Sequence, residues 1–356
     1  GMGAEYSVCM VHGEGDDAHM TEPVQARHTA TSILEQPNIL RLSETPVLDS
    51  RTFHKPFVLN AGVAEYEDKI ILLTRAQSAD EPSAVWMAVL DSDGETLREA
   101  ASKPVLGPGA DCVISPYGVE DVRITRMRDG RYIITANSLW PDQQNPSWWL
   151  PQIAIAQTWD FAHFELIGFP FPGLRTKNST LFPDTEHNER YMLHRVQPDI
   201  WMSRTTDVTL CHWPDAGQPI MTPRPKMINA GLMKWIGAGS QPILTDYGWL
   251  MVYHSGMWID EDHGKKLYLL WLALLDRDDP SQVLAESDAP IYWPLLGQES
   301  GSEDWYSGVS FTCGAIVRDS DLWVYVTLND SRIHLGKMPM REVWQILGHG
   351  EAATGA

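Results

Sequence analysis

Short apolar runs rich in Val, Ile, Tyr, Trp and Thr follow one another along the chain from about residue 55. Turn-forming pairs such as Asp93-Gly94 and Asp129-Gly130 separate them. This alternation is typical of β-strands. Helical periodicity of ten or more residues occurs nowhere outside 20–36, so we predict an all-β chain. The predicted strands are 61–65, 69–74, 84–90, 122–127, 132–136, 152–157, 191–194, 249–254, 267–275, 308–311, 314–317 and 322–328.

A polar turn followed by an apolar or aromatic strand recurs along the chain. The five copies begin at Asp68, Asp129, Asn188, Asp246 and Asp319, at spacings of 61, 59, 58 and 73 residues. A period of this size fits one four-stranded sheet per repeat, and therefore a five-bladed β-propeller. A β-sandwich has about seven to nine strands, too few for this chain.

In a propeller the inner strands of all blades surround one axis, so residues at their ends converge on a central pocket. The predicted division is an N-terminal arm over 1–30, a single catalytic propeller over 31–345 and a C-terminal tail over 346–356.

The charge of the chain excludes some classes of partner. Asp and Glu number 47 against 27 Lys and Arg, which gives a formal charge of −20. Nucleic acids and anionic membrane surfaces require many cations, so neither is an expected partner. An anionic ligand would need cations gathered locally against the overall field.

The cysteines indicate a reducing compartment. Cys9, Cys112, Cys211 and Cys313 lie far apart and form no metal-binding or redox motif. No secretory leader pattern and no apolar stretch of membrane-spanning length is present in the sequence. We therefore expect free thiols and a cytoplasmic location. No metal site is predicted.

The segment 118–123 holds the most informative chemistry. It places Glu120, Asp121 and Arg123 at the edge of a predicted strand. Read alone, it is a solvated turn with a surface ion pair. Four later segments also place polar or cationic residues beside short apolar strands: 177–178, 194–195, 235–239 and 253–254. An acid facing cations suits protonation of a leaving group near a bound anion, which indicates a sugar substrate with phosphate nearby.

These segments together resemble glycoside hydrolase family 130, the β-mannoside phosphorylases and related β-mannosidases. The resemblance covers roughly residues 35 to 338 in the family's order. The matching segments are 60–62, 72–75, 118–123, 177–183, 191–195, 237–239, 242–243, 248–254, 274–276, 279–284, 311–315 and 329–330. The resemblance implies a five-bladed propeller that cleaves β-mannosides in one displacement with inversion.

The resemblance also implies roles for individual residues. Asp121 matches the proton donor, which in the phosphorylases acts through a sugar hydroxyl. Lys177, Asn178, Arg195 and His254 match the phosphate-binding groups and are expected on three different blades, with up to three positive charges. Phosphate is already nucleophilic, so a phosphorylase needs cations to hold it rather than a second carboxylate.

Two departures from the family pattern bear on the reaction. Val122 stands where the family has Pro, and Trp235 stands where the phosphorylases often have Lys. Lys234 is adjacent, but in a strand its side chain points the other way. Hydrolases of the family have an incomplete cation set, so hydrolysis stays open beside phosphorolysis, with Glu303 or Asp304 as the base that activates water.

Other candidates are expected around the sugar. Asn60, Arg75 and Arg123 are predicted to shape the sugar subsite, although strand-end hydrogen bonding explains Asn60 and Arg75 equally well. Asp330 is either a sugar-binding carboxylate or a turn residue. The Trp-rich segment 137–152 either roofs the pocket and stacks on a sugar or lies in a subunit interface. The segment 257–266 is expected to be a solvated hairpin.

The sequence thus predicts an enzyme that cleaves a β-mannoside, with a small oligosaccharide as substrate. Phosphorolysis to mannose 1-phosphate requires inorganic phosphate as co-substrate, and no other cofactor is expected. Hydrolysis on the same scaffold is the first alternative, and a non-catalytic carbohydrate-binding propeller is the second. Family members are often oligomeric, so a homo-oligomer is a candidate assembly.

Overall fold

The computed structural model describes residues 38–225, 227–228, 231–262, 265–294 and 308–349. The predicted arm over 1–30, the helical pattern at 20–36, Cys9 and the carboxylates Glu303 and Asp304 lie outside this part of the chain. Of the predicted tail, residues 346–349 are described.

Strands dominate the described residues, with two short helices. Before the first blade come β1 (Arg41–Leu42) and α1 (Ser50–Phe53); blade 1 contains β2 (Phe57–Tyr66), β3 (Lys69–Gln77), β4 (Ala84–Leu90) and β5 (Leu97–Ala100). Blade 2 contains β6 (Val119–Arg126), β7 (Tyr132–Pro141), β8 (Trp149–Thr158) and β9 (Phe164–Gly168). Blade 3 contains β10 (Lys177–Leu181), β11 (Arg190–Val196), β12 (Asp199–Thr205) and β13 (Gln218–Met221).

The remaining strands form a small hairpin and two further blades. The hairpin is β14 (Met227–Ile228) and β15 (Gly231–Leu232). Blade 4 contains β16 (Trp235–Ala238), β17 (Ile243–Thr245), β18 (Gly248–Asp260), β19 (Lys265–Leu275) and β20 (Val283–Glu286). Blade 5 contains β21 (Ser310–Arg318), β22 (Asp321–Leu328) and β23 (Arg332–Pro339), followed by α2 (Met340–Ile346).

The blades confirm the predicted five-bladed β-propeller. Blades 1 to 3 are antiparallel sheets whose strands follow chain order, and in blade 4 both β16 and β17 pair with β18. Blade 5 has the order β21-β22-β23-β1, with Arg41 opposite Lys337 and Leu42 opposite Gly336. The first strand of the described chain therefore completes the last blade and closes the ring.

The sequence repeat marks one hairpin in every blade. In each blade the repeat begins in the turn that connects the inner edge of the sheet to the next strand. These turns contain Asp68, Asp129, Asn188, Asp246 and Asp319. The last spacing is longer in part because β18 has 13 residues and β19 has 11. The spacing of these turns along the sequence therefore corresponds to one turn in each blade.

The apolar core lies between neighbouring blades. One buried cluster joins blades 1 and 2, and includes Leu73, Val122 and Ile134. Equivalent clusters lie at the other four blade junctions. Because each sheet buries both faces, Trp249 and Trp271 are fully buried, which agrees with a core role for many tryptophans. Neither helix in the described residues has the length and apolar character that a membrane crossing requires.

The inner strands of blades 1 to 3 share an irregularity that positions the site. Pairing slips between Leu59 and Gly62, between Glu120 and Arg123, and between Lys177 and Thr180. Inside each slip, one residue has a left-handed backbone: Asn60 with φ of 57°, Asp121 with φ of 53° and Asn178 with φ of 57°. Asn and Asp tolerate this conformation better than other residues with side chains. A bulge also changes the direction in which its side chain points.

Candidate active site

A chain of hydrogen bonds joins these three bulged residues to blades 4 and 5. Asn60 Nδ2 donates to Asp121 Oδ1 at 2.6 Å, and Asn137 Nδ2 donates to Asp121 Oδ2 at 3.0 Å. The backbone N–H of Asn178 donates to Asn137 Oδ1 at 2.9 Å, and Asn178 Nδ2 lies 3.0 Å from His254 Nε2. We call Asn60, Asp121, Asn137, Asn178 and His254 the central chain.

The central chain determines how Asp121 is held. A backbone N–H can only donate, so the oxygen of the Asn137 amide must face Asn178 and its nitrogen must face Asp121. Both oxygens of Asp121 therefore accept an amide N–H, and the residue as a whole is 9% exposed. The backbone N–H of Asn60 donates to Thr327 Oγ1 at 2.6 Å, which joins the chain to blade 5.

Each end of the central chain carries a buried polar atom with no partner among the described residues. These atoms are Asn60 Oδ1 and His254 Nδ1. Buried polar atoms are normally hydrogen-bonded, and an orphan at a cluster of this kind suits a ligand group.

Gly237 allows the contact between Asn178 and His254. It lies opposite His254 in the pairing of β16 with β18. A Cβ at this position would lie 2.6 Å from His254 Nε2 and 2.8 Å from Asn178 Nδ2. Any side chain there would push the two residues apart, so this glycine is a spatial requirement of the central chain.

His254 contributes no positive charge, which corrects the expectation of up to three charges at the phosphate site. The side chain is fully buried, and burial is the main cause that holds its pKa well below the usual range. The charges of Arg195, Arg123 and Lys177 act in the same direction. His254 is therefore a neutral hydrogen-bonding group near pH 7.

Lys177 and Arg195 form the cationic side of the site, which we call the cation flank. They lie opposite each other in the pairing of β10 with β11. Arg195 keeps 7% of its surface exposed and hydrogen-bonds the side chain of Tyr268 on β19. Burial lowers the pKa of its guanidinium, while Tyr268 and the charge of Asp121 oppose that shift. Arginine remains protonated in proteins, so the charge is kept.

The predicted phosphate-binding residues come from two blades, not three. Lys177 and Asn178 lie on β10 and Arg195 on β11, all in blade 3, while His254 lies on β18 in blade 4. Lys177 and Arg195 were expected on different blades, but they lie on neighbouring strands of one sheet.

Arg123 is enclosed by backbone carbonyls. It is fully buried and donates from Nε to the Gly239 oxygen at 2.8 Å and from Nη2 to the Ala238 oxygen at 2.8 Å. Its Nη1 donates to the carbonyl of Asp121 at 2.7 Å. Arg123 therefore holds the bulge at Asp121 against blade 4 across the axis. Its predicted contact with the sugar stays a prediction.

Carboxylates and cations are paired in a second group of residues near Asp121. Arg75 Nη2 lies 2.9 Å from Glu120 Oε1, and both side chains are largely buried. The half-buried Asp330 lies in the turn after β22, and its charge interacts with Arg75, Asp121 and Glu120. Burial raises the pKa of Asp330 to about 7, with Arg75 opposing the shift. Burial also raises the pKa of Glu120.

We call Arg75, Glu120, Asp330 and Lys266 the mixed-charge flank, since the charge of Lys266 also acts on Asp330. All predicted site residues thus lie on the five blades. The charge of Lys177 also acts on Glu120, so the two flanks adjoin each other. Asp121 is close enough to interact electrostatically with both Arg195 and Asp330.

The Trp-rich segment 137–152 is more regular than its sequence indicated. β7 continues to Pro141 and β8 begins at Trp149, so residues 142–148 form the turn. Trp140 packs edge-on against Tyr117 at 6.0 Å and Phe169 at 5.9 Å. These packing contacts stabilise the hairpin and leave its two predicted roles as predictions.

Sequence reasoning missed two residues that position the site. Asn137 was taken as the start of a loop. It directly follows the apolar strand predicted at 132–136, and the other site segments also place a polar residue beside a short apolar strand. Tyr268 gave no such signal, because its partner Arg195 lies 73 residues earlier in the chain.

Replacement of Asn137 tests the central chain. Asn137→Ala leaves the Asn178 N–H and one oxygen of Asp121 without a partner in a buried site, so the free energy of unfolding should fall by about 2–4 kcal/mol. Asn145→Ala changes an exposed residue at the tip of the same hairpin and should have little effect. Chemical denaturation measures both. Equal decreases in the free energy of unfolding of the two variants would contradict a stabilising role of the central chain.

The raised pKa of Asp330 predicts a pH dependence of stability. The folded state holds a proton that the unfolded state has released, so Asp330 costs stability as the pH rises towards 7. Asp330→Asn removes that cost and suits the left-handed backbone, where φ is 51°. The free energy of unfolding of Asp330→Asn, relative to that of the wild type, should increase by about 2 kcal/mol between pH 5 and pH 8.

The control is Asp319→Asn, which changes an exposed aspartate with φ of 50°. Urea unfolding at several pH values measures all three proteins. An advantage of Asp330→Asn that stays constant with pH, or that the control reproduces, would contradict the assigned proton.

Comparison with known proteins agrees with this geometry. Residues 25–349 match the sequence profile of a family described as beta-1,4-mannooligosaccharide phosphorylase, glycoside hydrolase family 130. The 1,2-beta-oligomannan phosphorylase of Thermoanaerobacter sp. (strain X514) is 32% identical over 312 residues, which cover 85% of this chain and 98% of that protein.

Solved structures share the fold. The β-1,2-mannobiose phosphorylase of Listeria innocua gives a TM-score of 0.70 at 23% identity, covering 87% of this chain and 99% of that one. A structure from the family's glycoside hydrolases that target β-1,2 mannosidic linkages in Candida mannan gives a TM-score of 0.69 at 19% identity, with 85% and 94% covered. The extent of the profile match and the identity to the Thermoanaerobacter protein show that this chain is an enzyme of glycoside hydrolase family 130.

Proposed function

We propose that the protein cleaves a β-mannoside by phosphorolysis and releases mannose 1-phosphate. The observation that carries this proposal is the position of Asp121, which is held by two amide donors and interacts electrostatically with Arg195 of the cation flank and Asp330 of the mixed-charge flank. The names of the Thermoanaerobacter and Listeria relatives, both phosphorylases of β-mannosides, support it.

Asp121 is the proposed acid. An oxygen of phosphate attacks the anomeric carbon from the face opposite the glycosidic bond. The glycosidic C–O bond breaks, and its electron pair stays with the leaving oxygen. That oxygen receives the proton of Asp121, directly or through a sugar hydroxyl. The configuration inverts, so a β-mannoside gives α-mannose 1-phosphate.

Phosphate is the proposed ligand of the cation flank. Lys177 and Arg195 supply two charges, and the Arg195 guanidinium can hold two phosphate oxygens at once. Asn178 and His254 add neutral hydrogen-bonding groups, and the unpartnered Nδ1 of His254 is one of them. Inorganic phosphate is thus a co-substrate of the proposed reaction.

Asn137 and Arg123 are proposed positioning residues. Asn137 orients the carboxyl of Asp121, and Arg123 holds its backbone carbonyl. Asn60, whose buried Oδ1 has no partner among the described residues, is a sugar-binding candidate, as are Arg75 and Asp330 on the mixed-charge flank. The three described cysteines are free thiols, which supports the predicted cytoplasmic location.

Hydrolysis is a second candidate because a second carboxyl lies near Asp121. An inverting glycosidase needs a base that activates water opposite its acid. Asp330 has a pKa of about 7, which suits a general base. Its interactions with Arg75 and Lys266 favour a binding role instead.

One assay distinguishes the two reactions. The protein is incubated with β-1,2- and β-1,4-mannobiose, with and without inorganic phosphate, and the products are separated. Phosphorolysis predicts mannose 1-phosphate only when phosphate is present. Free mannose at the same rate without phosphate would establish hydrolysis, and binding without turnover would favour a carbohydrate-binding propeller.

Two variants complete the assay. Asp121→Asn should lower kcat about 10³-fold while the protein stays folded, because Asn tolerates the same backbone and the Asn60 amide can reverse to accept from the new N–H group. Asp330→Asn should keep phosphate-dependent turnover with a raised KM for mannobiose, because Asp330 is a sugar-binding candidate. Full activity of Asp121→Asn would contradict the assigned acid, and complete loss in Asp330→Asn would favour the hydrolytic mechanism.

A further inference from the structure

Lys266 occupies a position that its sequence did not predict. The segment 257–266 was expected to be a solvated hairpin, yet Met257 is buried at 2% exposure and Lys266 is half-buried. Only the tip agrees with the expectation, since Glu261 and Asp262 are exposed. The hairpin of β18 and β19 therefore continues the packed blade beyond His254.

Two tryptophans position the Lys266 ammonium group. Its Nζ lies 4.9 Å from the ring centroid of Trp258 and 5.9 Å from that of Trp235. The two rings pack edge-on at 5.5 Å. Cation–π contacts with two partly buried rings restrict the long side chain, so less entropy is lost when the ammonium group binds a ligand.

Lys266 interacts with residues of the site. Its charge acts on Asp330 in blade 5, and Asp330 in turn interacts with Asp121 and Arg75. Trp235 connects the same region to the cation flank, because its ring lies 5.8 Å from that of Tyr268. Lys266 thus reaches from blade 4 to the mixed-charge flank.

We propose that Lys266 is a sugar-binding residue, which together with Asp330 holds hydroxyl groups of the pyranose next to Asp121. The ammonium group donates hydrogen bonds to hydroxyl oxygens, and the carboxyl of Asp330 accepts from a neighbouring hydroxyl. A paired cation and carboxylate suit a neutral ligand with several hydroxyl groups. This inference rests on the proposed function, of which it names a further substrate-binding residue.

A phosphate ligand for Lys266 is less favoured. The charges that act on His254 in the central chain are those of Arg195, Arg123 and Lys177. The carboxyl of Asp330 beside Lys266 would repel a phosphate when it is ionised, whereas a sugar hydroxyl can use both groups in either protonation state. The phosphorylases often have a lysine at the position of Trp235. In this proposal Lys266 does not take over the role of that lysine.

Kinetics of Lys266→Met test the proposal, because Met keeps an aliphatic chain beside the two tryptophans and removes the charge. With phosphate saturating, the KM for mannobiose should rise about tenfold, and the KM for phosphate should stay within about twofold. Lys266→Arg should recover part of the sugar affinity. Lys234→Met is the matched control, since Lys234 is exposed beside Trp235 on the same blade.

Calorimetric titration with β-1,2- and β-1,4-mannobiose gives a second readout that needs no turnover. Weaker mannobiose binding by Lys266→Met with unchanged thermal unfolding supports the inference. A rise in the KM for phosphate alone, or affinities equal to those of Lys234→Met, would overturn it. If the wild type used water instead of phosphate, the proposed function would be wrong, while the mannobiose affinity would still decide the role of Lys266. A wild type that bound neither mannobiose would overturn both.

Discussion

The site depends on one amide group whose orientation cannot reverse. The backbone N–H of Asn178 fixes the oxygen of Asn137, and the nitrogen of the same amide then holds Asp121. This arrangement links the proposed acid on blade 2 to the proposed anion-binding residues of blade 3 through hydrogen bonds of 3.0 and 2.9 Å. Preorganised groups of this kind need no rearrangement when charge develops in a reaction, which is the main advantage of a rigid site.

The fold provides that rigidity through bulges in the inner strands of three blades. Three inner strands interrupt their pairing with a left-handed residue, and each of those residues enters the central chain. Bulges in a closed ring of blades can aim side chains from different sheets at one point, which a regular strand could not do. Gly237 completes the arrangement by leaving space where blade 4 approaches blade 3.

The two flanks divide the chemistry around the acid. Lys177 and Arg195 concentrate positive charge in a protein whose formal charge is −20, and burial of the guanidinium strengthens its interaction with an anion. In the mixed-charge flank Arg75 pairs with Glu120, which limits the repulsion that this carboxylate would exert on the proposed phosphate. The neutrality of His254 limits the charge that the cation flank can offer.

The sequence predicted the fold because the turn pattern repeats with the blades, and it predicted Asp121, Lys177, Asn178, Arg195 and His254 through motifs. Contacts that join distant segments left weaker signals. The enclosure of Arg123 by carbonyls depends on the approach of residues 238–239, more than a hundred positions away. The loss of charge on His254 and the docking of Lys266 on Trp258 depend on burial, which a single sequence does not reveal.

A crystal structure of Asp121→Asn with a bound β-mannobiose and inorganic phosphate is the most direct test of the account. We expect phosphate oxygens within about 3 Å of Lys177 and Arg195, on the face of the sugar opposite residue 121, with the glycosidic oxygen towards residue 121. Phosphate bound away from this flank, or on the same face of the sugar as residue 121, would contradict it.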